Sequence, residues 1–96
     1  MAFNWNDEKN NYLKSTRGIG FERIVVAIEE GHLLNVLENP DKKKYMDQLI
    51  LIVEIEKYAF CVPFVSEKSG DFFLKTIYPS RKYTKMFKLK GAKKND

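Results

Sequence analysis

The residues best suited to chemistry lie in one stretch, Lys75-Thr76-Ile77-Tyr78-Pro79-Ser80-Arg81-Lys82-Tyr83-Thr84-Lys85. Cations and aromatic rings alternate there, where a strand pattern gives way to a helix pattern. Single-stranded RNA asks for both, cations for its phosphates and ring faces for its unpaired bases. RNA can also be cleaved at such a place without a metal. The 2′-OH attacks the adjacent phosphate, and the protein supplies a base, an acid and positive charge against the charge building on phosphorus. Lys75 and Lys85 are the candidate catalytic cations of this reading. Lys82, Lys88, Tyr78 and Tyr83 are candidate RNA contacts. The same pattern also fits a basic helix that solvates one face or meets an acidic partner.

Other chemistries find less support. Cys61 is the only cysteine, so no intrachain disulfide and no cysteine-based zinc site can form. It sits between Phe60 and Val62, which suits a buried, inert thiol. One histidine, His32, supplies neither a metal cluster nor a triad, and no cofactor is expected. Gly18-Ile19-Gly20 has no strand before it, so it is a helix breaker rather than a phosphate loop. Glu29, Glu30, Glu54 and Glu56 read as surface acids. Lys42, Lys43 and Lys44 read as a solvated loop, with Lys44 kept as a further RNA-contact candidate.

The elements that must position these residues follow from periodicity. Asn6 suits an N-cap, with Asp7 and Glu8 in a favourable first turn and a helix running to about Thr16. Phe21, Ile24, Val25 and Ile28 recur at i, i+3, i+4 and i+7, which marks a second helix. Gly31 is placed to end it in the left-handed conformation. Strands are expected over residues 32–38, 49–56, 58–65 and 72–78. Pro63 implies that its strand lies near an edge or carries a bulge. Glu67-Lys68-Ser69-Gly70-Asp71 reads as a hairpin loop. Pro79 and Ser80 open a last helix, with Pro79 in its first position. Tyr83, Met86 and Phe87 form the apolar face of that helix, and Arg81, Lys85 and Lys88 the opposite one. The fold class expected is α+β: two N-terminal helices, a four-stranded antiparallel sheet covered on one face by helices, and a C-terminal helix.

A chain of 96 residues, 44% hydrophobic and 14% aromatic, fits one domain with one core. Residues 1–90 are read as that domain and residues 91–96 as a mobile basic tail. The net charge is +4. It is concentrated late in the chain, where Lys75, Arg81, Lys82, Lys85, Lys88, Lys90, Lys93 and Lys94 occur with no acid before Asp96. No apolar run approaches the ~20 residues of a membrane helix. The N-terminus lacks the regions of a signal peptide, so a cytoplasmic protein is expected.

Three motifs in sequence order resemble the BrnT family of the wider RelE/ParE-like toxin group. Phe3-x-Trp5-x-Asp7-Glu8-Lys9-Asn10 is similar to the family's opening, an aromatic start followed by a D-E-x-K-N helix entry. Gly18-x-Gly20-Phe21-Glu22 is similar to its G-V-x-F-E-E. Ile77-Tyr78-Pro79-Ser80-Arg81-Lys82-Tyr83-Thr84 is similar to its I-I-S-A-R-K-A-T. The likeness covers about residues 3 to 87. It implies a RelE-like fold and a type II toxin, a metal-independent endoribonuclease that blocks translation by cutting RNA, including ribosome-bound mRNA. It also implies a cognate antitoxin, often of ribbon-helix-helix type. Arg81 matches the family's arginine and is carried over as a catalytic phosphate or transition-state cation. The family often has H-x-x-E-E-R before its central strands. Here that region reads Asn39-Pro40-Asp41-Lys42-Lys43-Lys44-Tyr45-Met46, so proton transfer must fall to other groups. A non-enzymatic or weakly active domain of the same fold, acting on a protein target, is the alternative. A plain nucleic-acid-binding module is a third reading, without a recognised motif behind it.

Overall fold

The computed structural model describes residues 2–91. In chain order these form β1 (Phe3–Asn4), α1 (Asp7–Arg17), α2 (Phe21–Glu29), β2 (Leu33–Glu38), β3 (Leu49–Ile55), β4 (Tyr58–Ser66), β5 (Phe72–Leu74), β6 (Tyr78–Pro79) and α3 (Arg81–Met86). The fold is α+β, as expected, with more strands than the four anticipated. The six strands make one sheet in the order β1-β5-β4-β3-β2, with β6 also pairing β4. All pairings are antiparallel except that of β1 with β5. Two-residue β1 carries too little pattern to be seen as a strand. Its neighbour Ala2 holds the edge, accepting from the Phe72 N–H at 2.9 Å.

The helical joint is built by one buried polar side chain. Asn6 caps α1, its side chain accepting from the Lys9 N–H at 2.9 Å. Asn10, on α1, then reaches across to α2. Its Oδ1 accepts from the Phe21 N–H at 2.7 Å, and its Nδ2 donates to both carboxylate oxygens of Glu22. Lys14 adds an ion pair to Glu22 at 3.1 Å. These partners, Asn10 foremost, lower the Glu22 pKa. Gly20 lies against this cluster: a Cβ there would come within 2.5 Å of the Lys14 side chain and 2.8 Å of Asn10 Oδ1. Residues quoted above for the family likeness (Asn10, Gly20, Phe21 and Glu22) thus form a joint between helices.

Both faces of the sheet are covered, not one. Strand alternation sends Leu51, Val53, Ile55, Val62 and Phe64 to one face, where they pack with Leu13, Phe21, Ile24 and Ala27 of the first two helices. It sends Ile50, Ile52, Ala59 and Cys61 to the other, under Tyr83, Phe87 and Leu89 from α3 and its extension. Burying alternate residues on opposite sides explains why 49–55 reads as a near-continuous apolar run. Gly31, with φ 88°, ends α2 as foreseen. Its N–H donates to the Ile28 carbonyl and that of His32 to the Ala27 carbonyl, the double closure of a Schellman motif. His32 is therefore a chain-reversal residue, and its carbonyl accepts from the Glu54 N–H.

Two expectations are corrected around Pro63. It lies in β4, a central strand, and the expected strand 72–78 is interrupted. Leu74 pairs with Phe64 and Tyr78 with Cys61, so four steps on one strand face three on the other. The extra residue makes Lys75–Ile77 a bulge opposite Pro63. The Pro63 carbonyl accepts from the Lys75 N–H at 2.8 Å, so the proline's own missing N–H faces that interruption. The bulge, not an edge, makes the proline tolerable. Pro79 ends β6 rather than opening α3, and Ser80 is the N-cap, its hydroxyl accepting from the Tyr83 N–H at 3.1 Å.

Candidate nucleic-acid interface

The bulge turns Lys75 and Thr76 into a pocket of about 350 Å³, lined also by Asn39, Tyr45, Gln48, Pro63 and Tyr78. It lies at the β3 entry end of the sheet, on the face of Cys61, Tyr78's cross-strand partner. Of the predicted site residues, the pocket takes Lys75 and Tyr78. The Lys75 ammonium sits 5.3 Å from the centre of the Phe73 ring, the neighbouring side chain on the same face. Lys44 does not line the pocket, but its ammonium lies 5.3 Å from the ring centre of Tyr45, which does. The loop holding Tyr45 is fixed by its N–H donating to the Asp41 carbonyl and its carbonyl accepting from the Gln48 N–H.

Arg81, Lys82, Lys85 and Lys88 are not brought into this pocket. Arg81 is exposed in the first position of α3, three residues beyond Tyr78. Lys82 and Lys85 are exposed on the same short helix, with the Lys82 ammonium 5.3 Å from the Tyr83 ring centre. Tyr83 is half-buried and serves the second core. Met86, expected on the buried face, is 58% exposed, and Thr84 takes that place at 0%. Thr84 Oγ1 accepts from the Ala59 N–H at 2.9 Å and donates to the Ser80 carbonyl at 2.6 Å. A hydroxyl with both functions filled is buried at little cost, which is why helical hydrophobicity alone chose Met86.

Lys88 is not on the helix face either. It follows the end of α3 with φ 57°, the Lys88 N–H donating to the Lys85 carbonyl and the Leu89 N–H to the Thr84 carbonyl. This is a second Schellman closure, with lysine where glycine is usual. A left-handed non-glycine residue costs about 1–2 kcal/mol. Glycine adds unfolded-state entropy worth about 0.4–1 kcal/mol in the opposite direction. Lys88→Gly is therefore expected to stabilise the protein by about 0.5–1 kcal/mol, read as a higher urea midpoint at unchanged slope. An unchanged or lower midpoint would show that this turn relaxes in solution. Gly91, expected in a mobile tail, donates its N–H to the Lys57 carbonyl at 2.9 Å. The rest of that tail, residues 92–96, lies outside the described residues.

The electrostatics of the pocket are those of a donor. Among the described residues, no carboxylate or imidazole lines it. Burial, then the adjacent Cys61 thiol, raises the Tyr78 pKa. The phenol therefore remains protonated at neutral pH. Cys61 is buried, and burial raises its pKa against the opposing hydrogen bonds of Ser80 and Tyr78. Among the described residues no group of three or more His, Cys, Asp or Glu could hold a metal. No helix among them is long and apolar enough to cross a membrane.

Tyr45, Gln48, Asn39 and Thr76 were absent from the sequence candidates. A larger, more open cleft of about 670 Å³ lies at the opposite end of β3, lined by Lys14, Arg17, Arg23, Glu22, Glu56 and Phe60 among others. Its cations are offset by two carboxylates, and Lys14 is already paired. Comparisons of the chain with known family models, curated proteins and solved structures found no match.

Proposed function

We propose that this protein is a small RNA-cleaving toxin of the RelE/ParE-like type, closest to the BrnT family. In this reading it is cytoplasmic, needs no metal, inhibits translation, and is neutralised by a cognate antitoxin, for which a ribbon-helix-helix protein is one candidate. The observation that carries the reading is the pocket at the β5–β6 bulge. It joins a lysine, two tyrosines and two amides in a carboxylate-free site beside the cationic helix α3. After the short β1, two helices, a mostly antiparallel sheet and a last helix follow, an α+β order compatible with the reading.

The chemistry assigned to the site follows from its groups. RNA lies across the pocket with its phosphate toward Lys75 and Arg81 and a base against Tyr45 or Tyr78. The 2′-OH attacks the adjacent phosphorus as its proton passes to solvent water, because the residues lining the pocket include no carboxylate or imidazole to take it. Lys75 in the pocket, with Arg81 and Lys85 reaching in from α3, is assigned to stabilise the charge that develops, and the protonated Tyr78 hydroxyl, which meets the Cys61 thiol in the free protein, is assigned to protonate the leaving 5′-oxygen. The products are a 2′,3′-cyclic phosphate and a 5′-hydroxyl.

The lack of a carboxylate or imidazole in the pocket favours one alternative, a weakly active or non-enzymatic domain acting on a protein target. Incubating the purified protein with RNA, free and ribosome-bound, in the presence of EDTA separates the two. Fragments ending in 2′,3′-cyclic phosphate are expected, together with growth arrest on induction and rescue by the product of the adjacent reading frame. Intact RNA in both settings would exclude the nuclease.

A further inference from the structure

We propose that the pocket lined by Gln48 and Lys75 reads a single guanine and discriminates against adenine, an inference that rests on the RNA reading above. The amide network fixes how the two side-chain amides are turned. The Asp41 backbone N–H donates to Asn39 Oδ1 at 3.0 Å, so the oxygen of Asn39 must point that way. Asn39 Nδ2 then faces Gln48 and donates to its Oε1 at 3.2 Å. The two residues are also joined through their backbones, the Asn39 N–H donating to the Gln48 carbonyl at 3.2 Å. Gln48 is half-buried and cannot turn over without facing one NH₂ group with another. Its Oε1 is held toward Asn39, and its Nε2 has no partner among the described residues.

Adenine is read by glutamine through Oε1 and Nε2 together, accepting from N6 and donating to N7. Here Oε1 already accepts from Asn39 and is turned toward it, so only its second lone pair is left and that paired contact is weakened. Guanine presents two adjacent acceptors, O6 and N7, and needs two donors. Gln48 Nε2 and the Lys75 ammonium, both in residues lining the pocket, supply them. Adenine would set its N6 amino group against these donors, with no carboxylate in the pocket to receive it. Tyr45 and Tyr78 provide ring faces for any base, and so contribute affinity rather than choice.

The test is binding, measured by fluorescence anisotropy, of a uridine-tract oligonucleotide carrying one central guanine, adenine, hypoxanthine or 7-deazaguanine. Guanine should bind on the order of 10-fold tighter than adenine, in line with one bidentate base contact. Hypoxanthine, which keeps O6 and N7, should match guanine, and 7-deazaguanine should fall toward adenine. Gln48→Leu should remove the preference while retaining most of the salt-dependent affinity, and Gln48→Glu should shift it toward adenine. Equal binding of guanine and adenine would overturn the base assignment while leaving the RNA reading in place. A failure to bind any of the four oligonucleotides would overturn both.

Discussion

Lys75→Ala is expected to lower the rate of RNA cleavage by about 10²–10³-fold, the usual loss when one aimed stabiliser of a developing anion is removed. Lys75 is the cation that lines the pocket, and the fold does not depend on its side chain. Its N–H holds the Pro63 carbonyl whatever the side chain is, and the ammonium lies 5.3 Å from the centre of the Phe73 ring. The unfolding midpoint should therefore stay within a few degrees of the parent. Arg81→Ala makes the informative comparison, because Arg81 lies outside the pocket at the start of α3. If it touches the phosphate undergoing reaction, kcat falls with kcat/KM. If it only holds a flanking phosphate, KM rises and kcat is kept. Measuring both variants under single-turnover conditions separates these roles. Cleavage by Lys75→Ala at the parental rate would remove the pocket from the mechanism.

Much of the scaffold could be read directly from residue spacing, and the reason is physical. The second helix announces itself because Phe21, Ile24 and Ile28 must share one face to be buried. Gly31 and Asn6 mark ends because a left-handed turn and an orphan amide restrict what can stand there. What stayed hidden depends on contacts between distant parts of the chain. Asn39, Tyr45 and Gln48 look like loop residues, and they reach Lys75 only through the pairing of β3 with β4 and of β4 with β5. The bulge that delivers Lys75 appears only when Leu74 and Tyr78 are matched to their partners. Sequence pointed to Lys75 and Tyr78 through charge and aromaticity. The same logic gathered Arg81, Lys85 and Lys88 into one helical face, but the helix ends at Met86, and Lys88 turns away in a left-handed cap.

Thr84→Val is expected to destabilise the protein by about 1–3 kcal/mol, although valine has nearly the same shape. The substitution exchanges a hydroxyl for a methyl at a site with no solvent exposure. It leaves the Ala59 N–H of β4 without the acceptor that holds it at 2.9 Å, and a buried unsatisfied amide costs about that much. For a domain of this size the change corresponds to a fall in Tm on the order of 10 °C. Thr84→Ser keeps the hydroxyl and loses only a methyl, so it should cost about 1 kcal/mol. The ordering tests hydrogen bonding against packing: serine milder than valine if the hydroxyl matters, valine milder if volume does. The consequence extends to the site. α3 has six residues and little apolar surface of its own, with Met86 exposed and Thr84 wholly buried. The Thr84 hydroxyl joins its first turn, through the Ser80 carbonyl, to the strand carrying Cys61, Tyr78's cross-strand partner. Loosening that join should disturb Arg81 and Lys85 more than Lys75. In Thr84→Val, RNA affinity should weaken at temperatures where the protein is still folded, while the preference at the Gln48 pocket is kept. A variant as stable as the parent, with unchanged RNA affinity, would show that α3 is held by Tyr83, Phe87 and Leu89 instead.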